Sequence, residues 1–147
     1  MNNKDINIEE IKNSDIVYLK EIDSKLSTPL LNNIYNEILN PIYTFYIARY
    51  KSIIVGYIVI TTVIDTMDIV NITVKKEYQN NGIGTKLINF IINIAKEKQV
   101  IKILLEVRKN NNIAQKLYEK CNFKIIGIRN KYYSTPPDDA LIYIKYL

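Results

Sequence analysis

Apolar and polar positions alternate along this chain in two distinct rhythms, and each rhythm marks a kind of element. Residues 5–9 (DINIE) alternate and predict a short strand. Ile16, Leu19, Ile22 and Leu26 share one helical face over residues 15–25, with Ser14 and Asp15 as N-cap candidates. After the Ser27-Thr28-Pro29 turn, Leu30, Ile34, Ile38 and Leu39 recur at helical spacing, and Pro41 stops this second helix. Strands are predicted at 43–50, 53–64 and 68–74, with a turn at Tyr50-Lys51-Ser52, a bulge marked by Gly56, and a turn at Asp65-Thr66. Helical spacing returns at Ile83, Leu87, Phe90, Ile91 and Ile94 and lasts until Gln99. IKILLEV (101–107) is a nearly continuous apolar run, as expected for one member of a buried parallel pair. Asn110–Lys120 reads as a helix, and 122–130 and 139–146 as strands joined by the loop KYYSTPPDD. The order is β-α-α-β-β-β-α-β-α-β-β, an α/β chain with no internal repeat or linker, read as a single domain over 1–147.

The chain is organised around residues 71–84, NITVKKEYQNNGIG. A strand passes through a polar turn and delivers Gly82 and Gly84 to the start of the long amphipathic helix. In such a junction successive amides point into one volume, and the positive end of the helix adds its field. A glycine leaves room for a phosphate against the main chain. The stretch therefore reads either as a phosphate cradle or as an ordinary helix-start turn. No Gly-Lys-Ser/Thr follows, so it is not a Walker loop, and Leu87 stands where a dinucleotide-binding motif needs its third glycine.

Composition narrows the chemistry. The 147 residues suffice for one hydrophobic core, and 48% apolar content fits a globular protein without a membrane span. The start, MNNKDINIEE, is polar and acidic, so no secretory leader is expected. A lone cysteine, Cys121, excludes an internal disulfide and suits a reducing compartment, so a cytoplasmic location is expected. The absence of histidine removes His-based triads and most catalytic zinc geometries, and no metal is expected. A net charge of +5 is mild, and no basic cluster with interleaved aromatics points to nucleic acid.

Three side chains are candidates for chemistry. Glu106 lies near the carboxyl end of the 101–107 strand, where ligands of open α/β sheets gather, and faces away from Leu105 and Val107. It reads either as a catalytic carboxylate or as an ion-paired glutamate, with Arg108 or a lysine as partner. Tyr118 follows on the next helix. A phenol can protonate a leaving group that becomes strongly basic, though among twelve tyrosines a helical one is usually packing. Cys121, with no histidine to activate it, reads as a small semi-buried side chain rather than a nucleophile.

Residues 79–84, Gln-Asn-Asn-Gly-Ile-Gly, resemble the Gln/Arg-x-x-Gly-x-Gly/Ala signature of the GCN5-related N-acetyltransferases. More narrowly, residues 65–147 resemble the ribosomal-protein alanine N-acetyltransferases and their N-terminal acetyltransferase relatives. The supporting segments, in order, are Asn71–Val74, Leu105–Arg108, Asn111-x-x-Ala114-x-x-Leu117-Tyr118-Glu119, Phe123, Ile128–Tyr133 and Asp138–Ala140. The resemblance is diffuse before Tyr43. It implies the fold of that superfamily, a mixed and mostly antiparallel sheet with a splayed parallel pair formed by 68–74 and 101–107. It also implies acetyl-CoA, with its pyrophosphate on the amides of Gln79, Asn80, Asn81, Gly82, Ile83 and Gly84. The pantetheine arm would then run along the main chain of Ile72, Thr73 and Val74, with Asn111 holding its amide region and Tyr118 at its thioester end. Glu106 matches the family's general base and Tyr118 its general acid, while Tyr132 and Tyr133 match the peptide-lining loop. Two departures stand out: Asn122 occupies a position that is often glycine, and residues 27–35 lack the tryptophan segment that borders the peptide site.

The implied reaction is direct acetyl transfer in a ternary complex to a protein N-terminus, with the alanine N-terminus of ribosomal protein S18 as the target. An α-amine, with a pKa near 7.7–8.0 against about 10.4 for lysine, suits a carboxylate base. Amides of the 72–74 strand edge are positioned to stabilise developing oxyanion charge. The alternatives are a lysine side chain or a small amine as acceptor, or a module that binds acyl-CoA without turnover. The expected protein is a monomer or weak homodimer without membrane or nucleic-acid partners.

Overall fold

The computed structural model describes residues 5–23 and 40–147. In chain order the elements are β1 (Ile6–Glu10), α1 (Ile16–Asp23), β2 (Tyr43–Tyr50), β3 (Ile53–Val63), β4 (Thr66–Val74), α2 (Ile83–Glu97), β5 (Lys102–Arg108), α3 (Asn112–Lys120), β6 (Lys124–Ser134) and β7 (Pro137–Tyr146). The seven strands follow the order β1-β2-β3-β4-β5-β7-β6. β4 and β5 run parallel, whereas the β1/β2, β2/β3, β5/β7 and β6/β7 pairs are antiparallel. This is the mixed sheet expected from the sequence. The helix predicted after Pro29, its stop at Pro41 and the 27–35 departure fall mostly on residues outside those described. By contact density the chain forms two compact units, Met1–Thr61 with Asn71–Leu87, and Thr62–Val70 with Ile88–Leu147.

In the first unit β1, β2 and β3 form an antiparallel meander. Ile47, Ala48, Val55, Tyr57 and Ile58 are almost wholly buried, as continuous apolar strands require. The sequence predicts Asp15 as a helix cap, but its carboxylate turns back instead. It accepts the Lys12 N–H at 3.1 Å and pairs with Arg49 at 2.6 Å, while Arg49 also holds Glu9 at 2.7 Å. A short 3₁₀ turn, Asn13–Asp15, precedes α1 and aims the side chain toward these partners. Burial alone would raise the Asp15 pKa, but the Arg49 and Lys12 hydrogen bonds outweigh it and leave the carboxyl below its usual value.

The bulge predicted at Gly56 is present. Ala48 pairs with Gly56 and Arg49 with Ile54, so Val55 is the extra residue on β3. The freed Val55 carbonyl accepts the Lys75 N–H at 2.8 Å, just past the end of β4. Glycine is required here because a Cβ would meet the Thr73 carbonyl oxygen at 2.7 Å. Gly56→Ala should therefore destabilise the protein by about 1–3 kcal/mol and lower the melting temperature by several degrees. Thermal unfolding of the variant checks this, and an unchanged midpoint would show that β4 has room to move.

In the second unit β5 alternates buried Ile103, Leu105 and Val107 with half-buried Leu104, Glu106 and Arg108. The parallel ladder runs from Thr66↔Lys102 to Ile69↔Leu105, and both strands continue beyond it. α3 begins at Asn112 rather than Asn110, because Asn111 is its cap, with Oδ1 accepting the Ala114 N–H at 3.1 Å. At the other end of α3, Asn122 adopts φ 62°, so asparagine supplies the left-handed turn there. The Phe123 N–H then reaches back to the Tyr118 carbonyl at 3.0 Å.

One expectation needs correction. Residues 131–139 do not form a loop, since β6 runs to Ser134 and β7 starts at Pro137. The sequence misleads because Lys131 sits at φ 52° in a broad bulge: Arg129 pairs with Ala140 and Tyr133 with Asp138, leaving extra residues on β6. Asp139 stabilises the bulge by accepting the Lys131 N–H at 2.9 Å. Tyr132 and Tyr133 are therefore strand residues, held more firmly than loop residues would be.

Candidate active site

The first unit builds an anion cradle at residues 79–84. A 3₁₀ turn, Lys76–Tyr78, leads to extended Gln79, then Asn80 at φ 60° and Gly82 at φ 77°. Such alternation turns successive amides toward one volume. Side chains secure the turn from the carbonyl side. Gln79 Nε2 donates to the Val74 carbonyl at 3.0 Å, and Asn81 Nδ2 donates to the carbonyls of Tyr78 and Gln79 at 3.2 and 2.9 Å. The first helical bond of α2, Lys86 N–H to the Gly82 carbonyl, makes Gly82 the N-cap. A glycine cap brings no side-chain oxygen over the amides of Ile83, Gly84 and Thr85, which have no acceptor within the helix. No acidic residue stands in the first turn to neutralise its field. Ile83 is buried and anchors the turn. These features fit a pyrophosphate. Ile72, Thr73 and Val74 lie on β4 beyond its ladder with β5, and Asn71 Nδ2 donates to the Tyr57 hydroxyl at 3.0 Å.

The second unit holds the titratable cluster. Glu106 is ion-paired, but its partner is Arg129 rather than Arg108: Arg129 Nε lies 2.7 Å from Glu106 Oε1. Arg108 instead donates to the Pro136 and Thr135 carbonyls at 2.8 and 3.0 Å and stacks 4.1 Å from the Tyr133 ring centre. Pairing explains the difference. Arg108 and Arg129 both lie opposite Ala140, one strand to either side of β7, and each reaches along the sheet in its own direction. The Glu106 carboxylate stands beside Tyr132, and its hydrogen-bonding pull and its charge raise the Tyr132 pKa. Tyr133 is raised first by burial and then by Glu106. The two rings meet edge to face at 5.1 Å.

Tyr118 is 5% exposed and packs against Phe123 and Tyr143 at ring distances of 6.1 and 5.8 Å. Its hydroxyl makes no hydrogen bond to another described residue, whereas Tyr143 donates to Glu119 at 3.1 Å. Burial pushes the Tyr118 phenol well above its ordinary pKa, and Tyr133, Tyr143 and Cys121 add to the shift. Cys121 is buried at the end of α3, where burial raises its thiol pKa against the pull of Lys145 and Lys120. It is the packed side chain expected from the sequence.

The cluster thus joins Glu106, Tyr132 and Tyr133, with Tyr118 close enough to Tyr133 for the two phenols to resist ionising together. Asn111 stands apart from them as a helix cap. Sequence reasoning missed two members. Arg129 was visible only as one residue of a family segment. Asp68 sits on β4 opposite Leu104, two positions before Glu106 on the same face, and its carboxyl is raised by burial and then by the Glu106 charge. The alternation Met67-Asp68-Ile69, a carboxylate between two buried apolar residues, was the signal available for it.

Among the described residues no helix is long and apolar enough to cross a membrane, and no group of three or more His, Cys, Asp or Glu side chains is placed to hold a metal ion. Residues 8–123 match the Acetyltransferase (GNAT) family. The chain belongs to that family. A protein of Bacillus subtilis, provisionally assigned as a ribosomal protein bS18-alanine N-acetyltransferase, is 35% identical over 90% of this chain and 88% of its own length. The ribosomal protein bS18-alanine N-acetyltransferase of Haemophilus ducreyi is 34% identical over 80% of each chain. Among solved structures, the ribosomal-protein-S18-alanine N-acetyltransferase of Escherichia coli superposes with a TM-score of 0.87 at 24% identity, covering 96% of this chain and 93% of that one.

Proposed function

We propose that this protein moves the acetyl group of acetyl-CoA to the α-amine of an alanine N-terminus, that of ribosomal protein bS18. The relatives' activity supports the acceptor. The site observation that carries the chemistry is Tyr118, a buried phenol whose hydroxyl makes no hydrogen bond to another described residue and which lies near Tyr133, itself beside the half-buried carboxylate of Glu106. Buried polar groups normally find partners, and an exception at a candidate active site marks a place where a reacting group comes to lie.

Acetyl-CoA supplies an acetyl thioester. The amides of residues 79–84 bind its pyrophosphate, and the main chain of Ile72, Thr73 and Val74 binds its pantetheine arm. Because Asn111 Oδ1 is committed to the Ala114 N–H, its Nδ2 is the group that donates to a cofactor carbonyl. Tyr132 and Tyr133 present aromatic surface to the first residues of the peptide. Glu106 accepts the proton that the α-ammonium must lose before its nitrogen bonds to the acetyl carbon, and the second proton that the bonded nitrogen sheds passes to solvent. As the carbon–sulfur bond breaks, Tyr118 passes its phenolic proton to the departing sulfur and recovers one from solvent. A phenol raised by burial stays protonated throughout the range in which the amine titrates, so the donor is always loaded. Ribosomal proteins are made in the cytoplasm, so this acceptor supports a cytoplasmic location.

Purified protein and acetyl-CoA should be offered an alanine-starting bS18 peptide, an N-terminally blocked lysine peptide and a panel of small amines. Preference for the free N-terminus is expected. Selective modification of the blocked peptide would move the assignment to lysine, and thiol release only with small amines would move it to that class. Binding of acetyl-CoA with no turnover on any acceptor would favour an acyl-CoA-binding module.

A further inference from the structure

Glu106 already has a cationic partner before any acceptor arrives. Arg129 Nε bonds Oε1 at 2.7 Å, and Tyr132 stands beside the same carboxylate, close enough for it to raise the phenol's pKa. The Arg129 guanidinium carbon lies 5.6 Å from the Tyr132 ring centre, so one cation touches both the base and the aromatic surface proposed for the peptide. The Arg129 side chain is 57% exposed against 27% for Glu106, which puts the guanidinium on the solvent side of the pair. The local charges are unequal. Asp68 lies close enough to Glu106 for its carboxyl to be raised by that charge, and it makes no ion pair or hydrogen bond with another described residue. Arg108, next along β5, is turned to the Thr135 and Pro136 carbonyls, and its charge is spent on the hairpin tip.

We propose that Arg129 is a positioning residue: its guanidinium holds Glu106 in place until the acceptor's α-ammonium displaces it from the carboxylate. This rests on the proposed acceptor. Exchanging one cation for another spares Glu106 from facing the closing site unpaired, which would be costly as water leaves. An exposed pair of this kind is weak enough to yield to a substrate. Swinging out, the guanidinium stays over Tyr132. The ammonium that replaces it places its proton on the carboxylate that must receive it. The excess carboxylate, Asp68, compensates the second cation while both are present.

The test uses the whole protein with acetyl-CoA and the alanine-starting peptide, comparing wild type with Arg129→Gln and Arg129→Lys. In the glutamine variant the peptide no longer competes with a guanidinium, so its KM should fall by about threefold. Because Glu106 loses its fixed orientation, kcat should fall by roughly tenfold. The KM for acetyl-CoA should not move. Lysine keeps a cation without the planar fork and should recover most of kcat. A merely structural role would lower kcat without tightening peptide binding and would leave the lysine variant no better than glutamine. A raised peptide KM with normal kcat would make Arg129 an ordinary substrate contact, and unchanged constants would make it a bystander; each overturns the proposal. Wild type that ignores the α-amine would sink the acceptor reading and this inference with it, whereas active wild type with an insensitive glutamine variant sinks the inference alone. Arg129 is exposed on β6, and matching melting temperatures confirm that the variants are folded.

Discussion

Glu106→Gln should lower kcat on an alanine-starting peptide by about 10²–10⁴-fold while leaving acetyl-CoA affinity unchanged. Glutamine keeps the size of the side chain and an oxygen that Arg129 and Tyr132 can reach, but it cannot take a proton from the ammonium. The α-amine has a pKa near 7.7–8.0, so a fraction is already neutral near pH 8, and the deficit should shrink as pH rises and solvent does the deprotonation. A lysine acceptor, near 10.4, would show no such recovery below about pH 10. Stopped assays across pH, with peptide affinity measured separately, read both effects. Near-normal turnover with equal peptide binding would remove Glu106 as the base. Asp68, on the same face of the neighbouring strand, would then be the next carboxylate to replace.

Tyr118→Phe should cost about 10²-fold or more in kcat, yet leave the melting temperature unchanged or slightly higher. These two results rarely go together for a buried residue, and the hydroxyl's surroundings explain why they should here. The ring packs against Phe123 and Tyr143, and phenylalanine preserves that packing. The hydroxyl bonds no other described residue, so removing it sacrifices no described hydrogen bond and ends the desolvation of a polar group. What the variant loses is the phenolic proton itself. Cys121, at the cap of α3, is buried with its thiol pKa raised. A folded variant with full activity would show that the leaving sulfur draws its proton from solvent. A large fall in melting temperature would show that the hydroxyl has a structural partner.

The fold was legible wherever hydrophobic period and local turn chemistry agreed. β2, β3 and α2 appear close to where apolar spacing placed them, and Gly56 announced a bulge that the Val55 carbonyl uses. Asn122 was legible for a related reason, since asparagine is one of the few side chains that accepts the left-handed turn observed at φ 62°. Failures came where a side chain acts at long range. Asp15 has the residue type and place of a helix cap, and only the folded chain shows that Arg49, thirty-four positions away, claims it. Residues 131–139 carry the serine, prolines and aspartates of a loop, yet Asp138 and Asp139 spend their carboxylates on main-chain amides and let the hairpin continue.

At the candidate site the same division holds. The alternation of β5 showed that Glu106 faces away from Leu105 and Val107, and a paired carboxylate was anticipated. The partner was not, because choosing Arg129 over Arg108 depends on pairing with β7, which no local pattern encodes. Asp68 was overlooked because one aspartate within a strand says nothing until the parallel register sets it two positions before Glu106 on the same face. The cradle was legible as a motif, but its alternating φ values and its glycine cap are properties of the folded turn.

The central claim concerns which nitrogen receives the acetyl group. One peptide, beginning with the bS18 alanine and carrying an internal lysine, should be incubated with the protein and acetyl-CoA and sequenced by tandem mass spectrometry. A single added acetyl group on the alanine nitrogen, absent without the protein, is the predicted result. Acetyl on the lysine with the alanine left free would contradict the account.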